Sequence, residues 1–253
     1  MTRALLAAFV LGSALAGCAT GAPTGARTGL LTASYGSFSR AAAPRTIPAT
    51  VDASESATPP VRLTVADRRR AVALASKLVG KRNVELGGRH YRDDCTGLVM
   101  GVFDQLGMRV LEEAEPGDNA VTAIYRFAQK HGRIFDGGRP LPGDLVFFRE
   151  TYDLNRDGRT NDGLTHVGIV EDVDAAGTVT VIHRVSRGVV RYRMNLANPD
   201  IRRDGKTGRI LNDYLRNAAP GHREQLTGQL FAGYATVLPT GNAVARAEGG
   251  RRE

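Results

Sequence analysis

The chemistry legible in this chain begins at Asp93-Asp94-Cys95-Thr96-Gly97-Leu98-Val99, a cysteine placed behind two acids. The run that follows is apolar on every side and stops at Gly107, the pattern of a short buried helix closed by a C′ glycine. Asp94 then falls at the N-cap and Cys95 in the first turn. There the unpaired backbone N–H groups and the positive helix end stabilise a thiolate. A buried cysteine is ordinarily a small core residue; one at a helix start behind an acidic cap has the setting of a nucleophile.

A nucleophile needs a base and a group to orient that base. His166 opens one apolar stretch and His183 lies near the end of the next, with Asp174-Ala175-Ala176-Gly177 between them as a four-residue hairpin turn. With Val173 paired to Thr178, His166 faces Val185, Gly168 faces His183 and Val170 faces Val181. The two histidines become diagonal neighbours on one face, roughly 7–8 Å apart at Cα. Val179, Val181 and Val185 mark that face as core-facing, and Gly168 leaves space between the rings. His90, His131 and His222 have no such setting.

A third feature is Asp153-Leu154-Asn155-Arg156-Asp157-Gly158-Arg159, which begins like an EF-hand calcium loop. Asp153, Asn155 and Asp157 fill positions one, three and five, Gly158 is at six, and the Arg159 carbonyl at seven. Position twelve is Leu164, so Asp162 would have to supply the missing acid. The competing reading is an Asx-rich turn that needs no metal.

The elements that position these groups run helices first and strands afterwards. Thr64 and Asp67 open a helix with Val72, Ala75, Leu78 and Val79 on one side and Gly80 as its stop. A Gly- and Arg-rich loop from Lys81 to Arg92 leads to Cys95. A further helix spans about Ala120 to His131, with Ile124, Phe127 and Ala128 inward. Strands follow at Leu145–Phe148, His166–Val173, Thr178–Val185, Val189–Leu196 and Leu230–Leu238. That order predicts an α+β domain over residues 61–240, with N-terminal helices packed on an antiparallel sheet.

The chain has 253 residues, 42% hydrophobic and 24% charged, with a formal charge of +8, enough for one domain plus ends. The positive charge suits an acidic partner such as anionic lipid or a wall polymer. Lys and Arg are dispersed, Trp is absent and no nucleic-acid motif is present, so nucleic acid is not expected. Beyond the N-terminus no run reaches the length of a membrane span. Residues 18–60 are Ala, Thr, Gly, Ser and Pro with few large apolar side chains, the composition of a flexible tether, and 241–253 read as a loose tail.

The N-terminus carries Met1-Thr2-Arg3, an apolar stretch, and then Leu15-Ala16-Gly17-Cys18. This resembles the signal peptide and lipobox of bacterial lipoproteins, with 1–17 removed and Cys18 acylated, which would leave Cys95 as the only thiol. Ala19 after Cys18 leans toward the periplasmic side of the outer membrane.

The domain itself resembles the NlpC-type cell-wall peptidases and the related CHAP amidases, which share a papain-like fold. Their Asp-Cys-Ser-Gly-Leu-Val motif corresponds to Asp94 to Val99, their Pro-Gly-Asp-Leu-Val-Phe-Phe strand to Pro142 to Phe148, and their His-Val-Gly-Ile-Val strand to His166 to Val170. The next strand ends in Ile182-His183. The resemblance implies Cys95 as nucleophile, His166 as general base and His183 as the residue orienting it. Relatives carry an aromatic-rich segment before the cysteine. Here that place reads Val84 to Gly88, so Tyr91 and Asp94 are the nearest residues for substrate and oxyanion roles. The implied reaction is hydrolysis of an amide in peptidoglycan stem peptides, with no cofactor needed for the chemistry and calcium as a structural ion at most. The other classes to weigh are a non-catalytic peptidoglycan-binding lipoprotein, and a cysteine acyltransferase or deamidase acting on proteins.

Overall fold

Capping chemistry starts each helix where the sequence places it. In this computed structural model, which describes residues 63–219 and 223–240, the Asp67 carboxylate accepts the Thr64 backbone N–H at 2.7 Å and opens α1, Val65–Ser76. Asp94 caps α2, Cys95–Asp104, accepting the Gly97 N–H at 2.8 Å. That helix closes at Gly107, where φ is +77° and the Met108 N–H returns to the Phe103 carbonyl. Asn119 caps α3, Ala120–His131, and its amide donates to the Leu164 carbonyl at 2.9 Å, tying the helix start to the sheet. The signal peptide, Cys18, the tether, His222 and the 241–253 tail lie outside the described residues.

Between α1 and α2 the expected loop contains a small hairpin, β1 (Glu85–Leu86) and β2 (Arg89–His90). Gly87 and Gly88, at φ +58° and +73°, make a two-residue turn that L side chains rarely adopt. The strands that follow are β3 (Arg133–Phe135), β4 (Leu145–Arg149), β5 (Leu164–Val173), β6 (Val179–Val185), β7 (Gly188–Met194), β8 (Tyr214–Arg216), β9 (Gln225–Leu226) and β10 (Phe231–Thr236). Six of them form one antiparallel sheet in the order β3-β10-β4-β5-β6-β7, and β8 pairs with β9 separately. The α+β class is as expected.

Period-two alternation divides the sheet residues between two cores. Leu145, Phe147, Val167, Ile169, Ile182 and Val189 pack with the helices and with Cys95. Val146, Phe148, Val170, Val181, Met194 and Tyr234 form the second cluster on the opposite face. The sheet is therefore covered on both sides, and the histidine face belongs by alternation to the second core, away from the helices.

The hairpin register also differs at its turn. Val173 pairs with Val179 rather than Thr178, and a bulge between Val170 and Asp172 absorbs the extra residue. Past the bulge, Ile169 faces Ile182 and Val170 faces Val181, the register expected around the histidines.

One buried ion pair joins the two ends of the domain. Arg68 on α1 is 5% exposed and meets Asp144 at 2.7 Å. Its remaining N–H groups reach the carbonyls of Pro142, Leu238 and Pro239 and the Thr236 hydroxyl. Asp144 also accepts the Leu141 N–H at 2.8 Å. We expect Asp144→Ala to lower unfolding stability by about 3–5 kcal/mol in urea denaturation, because it strands a buried guanidinium. Arg68→Met combined with Asp144→Leu should cost clearly less than Asp144→Ala alone. A loss below about 1 kcal/mol for the single variant would refute a structural role for the pair.

Candidate active site

Six chain segments converge on a cleft of about 850 Å³ that opens on both Cys95 and His166. The starts of α2 and α3 form one side, the loop carrying Thr151 and Tyr152 and the start of β5 another. The β6–β7 hairpin with β8 closes the rest.

Cys95 is placed by its helix. Asp94 accepts from the Thr96 hydroxyl at 2.7 Å as well as from Gly97, and the Arg92 guanidinium sits on it at 2.9 Å. Partial burial pushes the Asp94 carboxyl upward, yet those three partners outweigh it and hold it below the usual carboxylate range. Gly97 is dictated by packing: a Cβ there would stand 1.9 Å from the Arg92 carbonyl oxygen. The chain can fold back over α2 only because that position is bare.

His166 is 7% exposed and His183 fully buried, and His166 Nε2 lies 2.8 Å from His183 Nδ1. The rings meet edge-on, with centroids 5.0 Å apart. One nitrogen of His166 is thus engaged, and Nδ1 is its remaining nitrogen for a proton from the cleft. His183 does not line the cleft; it stands behind His166, packed against the Tyr192 ring at 4.5 Å. The space expected beside Gly168 is absent. A Cβ on Gly168 would lie 2.5 Å from Val181 Cγ1 and 3.1 Å from His183 Cβ, so this glycine lets the two strands close up under the imidazoles.

Burial sets the protonation of this site. It pushes the Cys95 thiol up to about 11, against the pull of the Val167, Thr96 and Cys95 backbone N–H groups, and the Asp94 charge pushes the same way. Burial also pulls His166 down to about 4, and depresses His183 strongly, helped by the charges of His166 and Arg187. Burial thus favours the neutral form of both groups, against the thiolate that the helix start alone would stabilise. The helix start does not overcome the loss of water around the sulfur.

Of the two neighbouring residues expected in substrate and oxyanion roles, Asp94 lines the cleft and Tyr91 does not. Tyr91 is not in the cleft: its ring is buried, and its hydroxyl donates to Asp104 at 2.6 Å, at the far end of α2 from Cys95. The tyrosines that do line the cleft are Tyr152, Tyr192 and Tyr214, none of which the sequence motifs single out. Partial burial raises the Tyr152 hydroxyl pKa, and the nearby Asp94 charge raises it further; Tyr152 shares the cleft lining with Cys95.

In the 153–162 loop the acids are turned on the loop itself. Asp153 accepts from the Asp157 and Gly158 N–H groups, Asp157 from Arg159, and Asp162 from Asn155. Asn155 accepts the Asp157 N–H, as in an Asx turn. Asp162 Oδ2 is buried with no partner among the described residues. The three carboxylates do not close to common metal-ligand distance; among the described residues only Glu112, Glu113 and His131 do. That surface group does not line the cleft, and Glu113 is already paired with Lys130 at 2.7 Å.

Comparison with known proteins gives one match: residues 85–184 fit the family model described as CHAP domain. No curated protein and no solved structure matches the chain. The match supports a CHAP-type peptidase domain over that segment, and CHAP domains are in general hydrolases acting on peptidoglycan. It spans Cys95, His166 and His183 and ends at Arg184.

The protonation state can be read directly. Alkylation of Cys95 by iodoacetamide should rise about tenfold per pH unit from pH 6 to 9 without levelling, because only the thiolate reacts and its fraction grows up to the thiol pKa. A plateau reached below pH 7 would instead show an ion pair at rest.

Proposed function

We propose that the chain is a cysteine hydrolase of the bacterial cell envelope, of the papain-like NlpC/CHAP type, cutting an amide bond in peptidoglycan stem peptides. The observation that carries this is the buried His166–His183 hydrogen bond behind a cleft that also opens on Cys95. A base with one nitrogen held and the other facing the cleft is what activation of a thiol requires.

In this mechanism the Cys95 proton passes to His166 Nδ1 as Sγ attacks the amide carbon. The developing oxyanion is taken by backbone N–H groups at the start of α2. His166 then returns the proton to the leaving amine, giving a thioester, and the same base activates the water that hydrolyses it. His166 Nε2–H donates to His183 Nδ1 throughout, which keeps Nδ1 of His166 unprotonated at rest. Because thiol and imidazole start neutral, proton transfer accompanies attack instead of preceding it.

The reading includes acylation of Cys18, with the protein held on the periplasmic side of the outer membrane, where stem peptides are within reach of the tethered domain. It also includes calcium in the 153–162 loop. Asp153, Asn155, Asp157, the Arg159 carbonyl and Asp162 would hold it, and the unpartnered Asp162 Oδ2 supports the assignment. A bound ion would stiffen the segment that leads from β4 to His166.

The test is digestion of purified peptidoglycan followed by mass analysis of the fragments. Cys95→Ala and His166→Ala should each reduce turnover by roughly 10³-fold or more, and the double variant should be scarcely worse. His183→Ala should lose less, and His183→Asn should recover part of that loss, since its amide oxygen can still accept from the imidazole. Circular dichroism confirms folding of each variant. No released fragment from folded wild type, or full activity in His166→Ala, would overturn the reading.

For the loop, millimolar calcium should raise the melting temperature, and Asp162→Asn should shrink that rise. An unchanged melting temperature would leave the Asx turn as the sole description.

A further inference from the structure

The charges around the cleft can be accounted for one by one. Arg92 is paired with Asp94 at 2.9 Å, and Asp118 with Arg126 at 3.0 Å. Asp93 accepts the Val84 N–H at 2.8 Å. Arg184 donates to the Arg82 carbonyl at 3.1 Å and to the Val185 carbonyl. Arg187 alone among these has neither an ion pair nor a hydrogen bond with any described residue. Its guanidinium lies over the Tyr192 ring, 5.3 Å from the centroid, where a planar cation stacks while its N–H edge stays free.

Its mount is rigid. Ser186 and Arg187 are the two-residue turn between Val185 and Gly188, which pair across the β6–β7 hairpin. Gly188, at φ +132°, is packed against the Lys81 carbonyl, and the turn is clamped by Gly80 N–H to Val189 O at 2.8 Å and Val189 N–H to Lys81 O at 2.9 Å. The turn that carries Arg187 is thus held at the cleft wall by main-chain bonds, and its guanidinium rests on a ring that itself packs against His183. The starts of α2 and α3 face the same space and add positive potential.

We infer that Arg187 is a substrate-binding residue that reads a free carboxylate on the peptide, making the cleft selective for acidic stem peptides over their amidated forms. This rests on the hydrolase reading and names the substrate class at that site. Stem peptides carry carboxylates that some bacteria convert to carboxamides, which leaves shape nearly unchanged and removes the charge. A planar guanidinium offering two parallel N–H groups separates those two forms, because the carboxylate accepts both and a carboxamide only one. Stacked on the Tyr192 ring in the cleft lining, the guanidinium has its N–H groups unused by any described residue.

The experiment uses Cys95→Ala, which cannot turn over, and two synthetic L-Ala-γ-D-Glu-diaminopimelate tripeptides that differ only in having free or amidated side carboxyls. By calorimetry at low salt, the acidic peptide should bind at least tenfold tighter. Adding Arg187→Gln should bring the ratio within about twofold, while Arg187→Lys should keep part of it. In the active enzyme Arg187→Gln should raise KM for the acidic peptide far more than it changes kcat, an effect a merely structural role would not confine to one peptide. Equal binding of both peptides, no binding of either, or a preference that survives Arg187→Gln would overturn the inference. Wall digestion by wild type separates the two claims: selective binding without turnover sinks the hydrolase reading alone, and turnover without selectivity sinks this one alone.

Discussion

The Arg68–Asp144 pair is the constraint on which the rest of the domain depends. A guanidinium at 5% exposure is tolerable only with its donors satisfied, and the partners are drawn from residues 142–144 and 236–239, far apart in sequence. Satisfying one side chain therefore fixes three segments together: α1, the turn that begins β4, and the chain leaving β10. Gly143, at φ +86°, is part of the same constraint, since a Cβ there would press within 3.2 Å of the Arg68 backbone. β4 starts from this point and pairs with β5, setting Phe148 opposite His166. His166 is in this sense positioned from an ion pair at the other end of its neighbouring strand.

The second determinant is dryness. The sheet is covered on both faces, so a histidine pair on its second face is buried although no helix packs on that side. Burial that disfavours charge on Cys95 and His166 also strengthens the hydrogen bond between the imidazoles, and it leaves His183 Nε2 without a partner among the described residues. The acidic cap that orients Cys95 raises the thiol pKa as well, so the residue that builds the helix start also disfavours the thiolate.

What the sequence disclosed follows from which forces leave a local trace. Caps, C′ glycines and alternating apolar strands are local, and α2, α3 and the long strands fall at or near their expected places. The histidine register survives a mistaken turn because the bulge between Val170 and Asp172 compensates for the longer connection. Arg68 was invisible, since a charged residue on a helix is read as solvent-facing and its partners come from the far end of the chain. Tyr91 stands near Cys95 in sequence, but a two-residue hairpin and the contact with Gly101 turn its ring into the core. Gly168 reads as empty space in a pattern of side chains; in three dimensions the neighbouring strand fills it.

The connection from β7 to β10 explains why the cleft's outer wall escaped both the motifs and the family match. It is held by buried polar groups: the Asn195 N–H donates to the Asn212 side chain at 2.9 Å, the Asn212 amide to the Asn198 and Ile201 carbonyls at 2.8 Å, and the Thr227 hydroxyl to the Arg193 carbonyl at 2.7 Å. Such a network has no hydrophobic period to betray it. Arg187, Tyr192, Tyr214 and Leu215 all follow the matched residues 85–184, whereas Cys95, His166 and His183 all lie within them. The groups suited to bond cleavage and those suited to recognising a substrate thus sit on different stretches of one chain, joined through the β6–β7 hairpin, the β4–β10 pairing and the Arg216 bond to the Glu150 carbonyl. A wall that rests on its own hydrogen bonds can change its lining without disturbing the packing that brings Cys95 and His166 to one cleft.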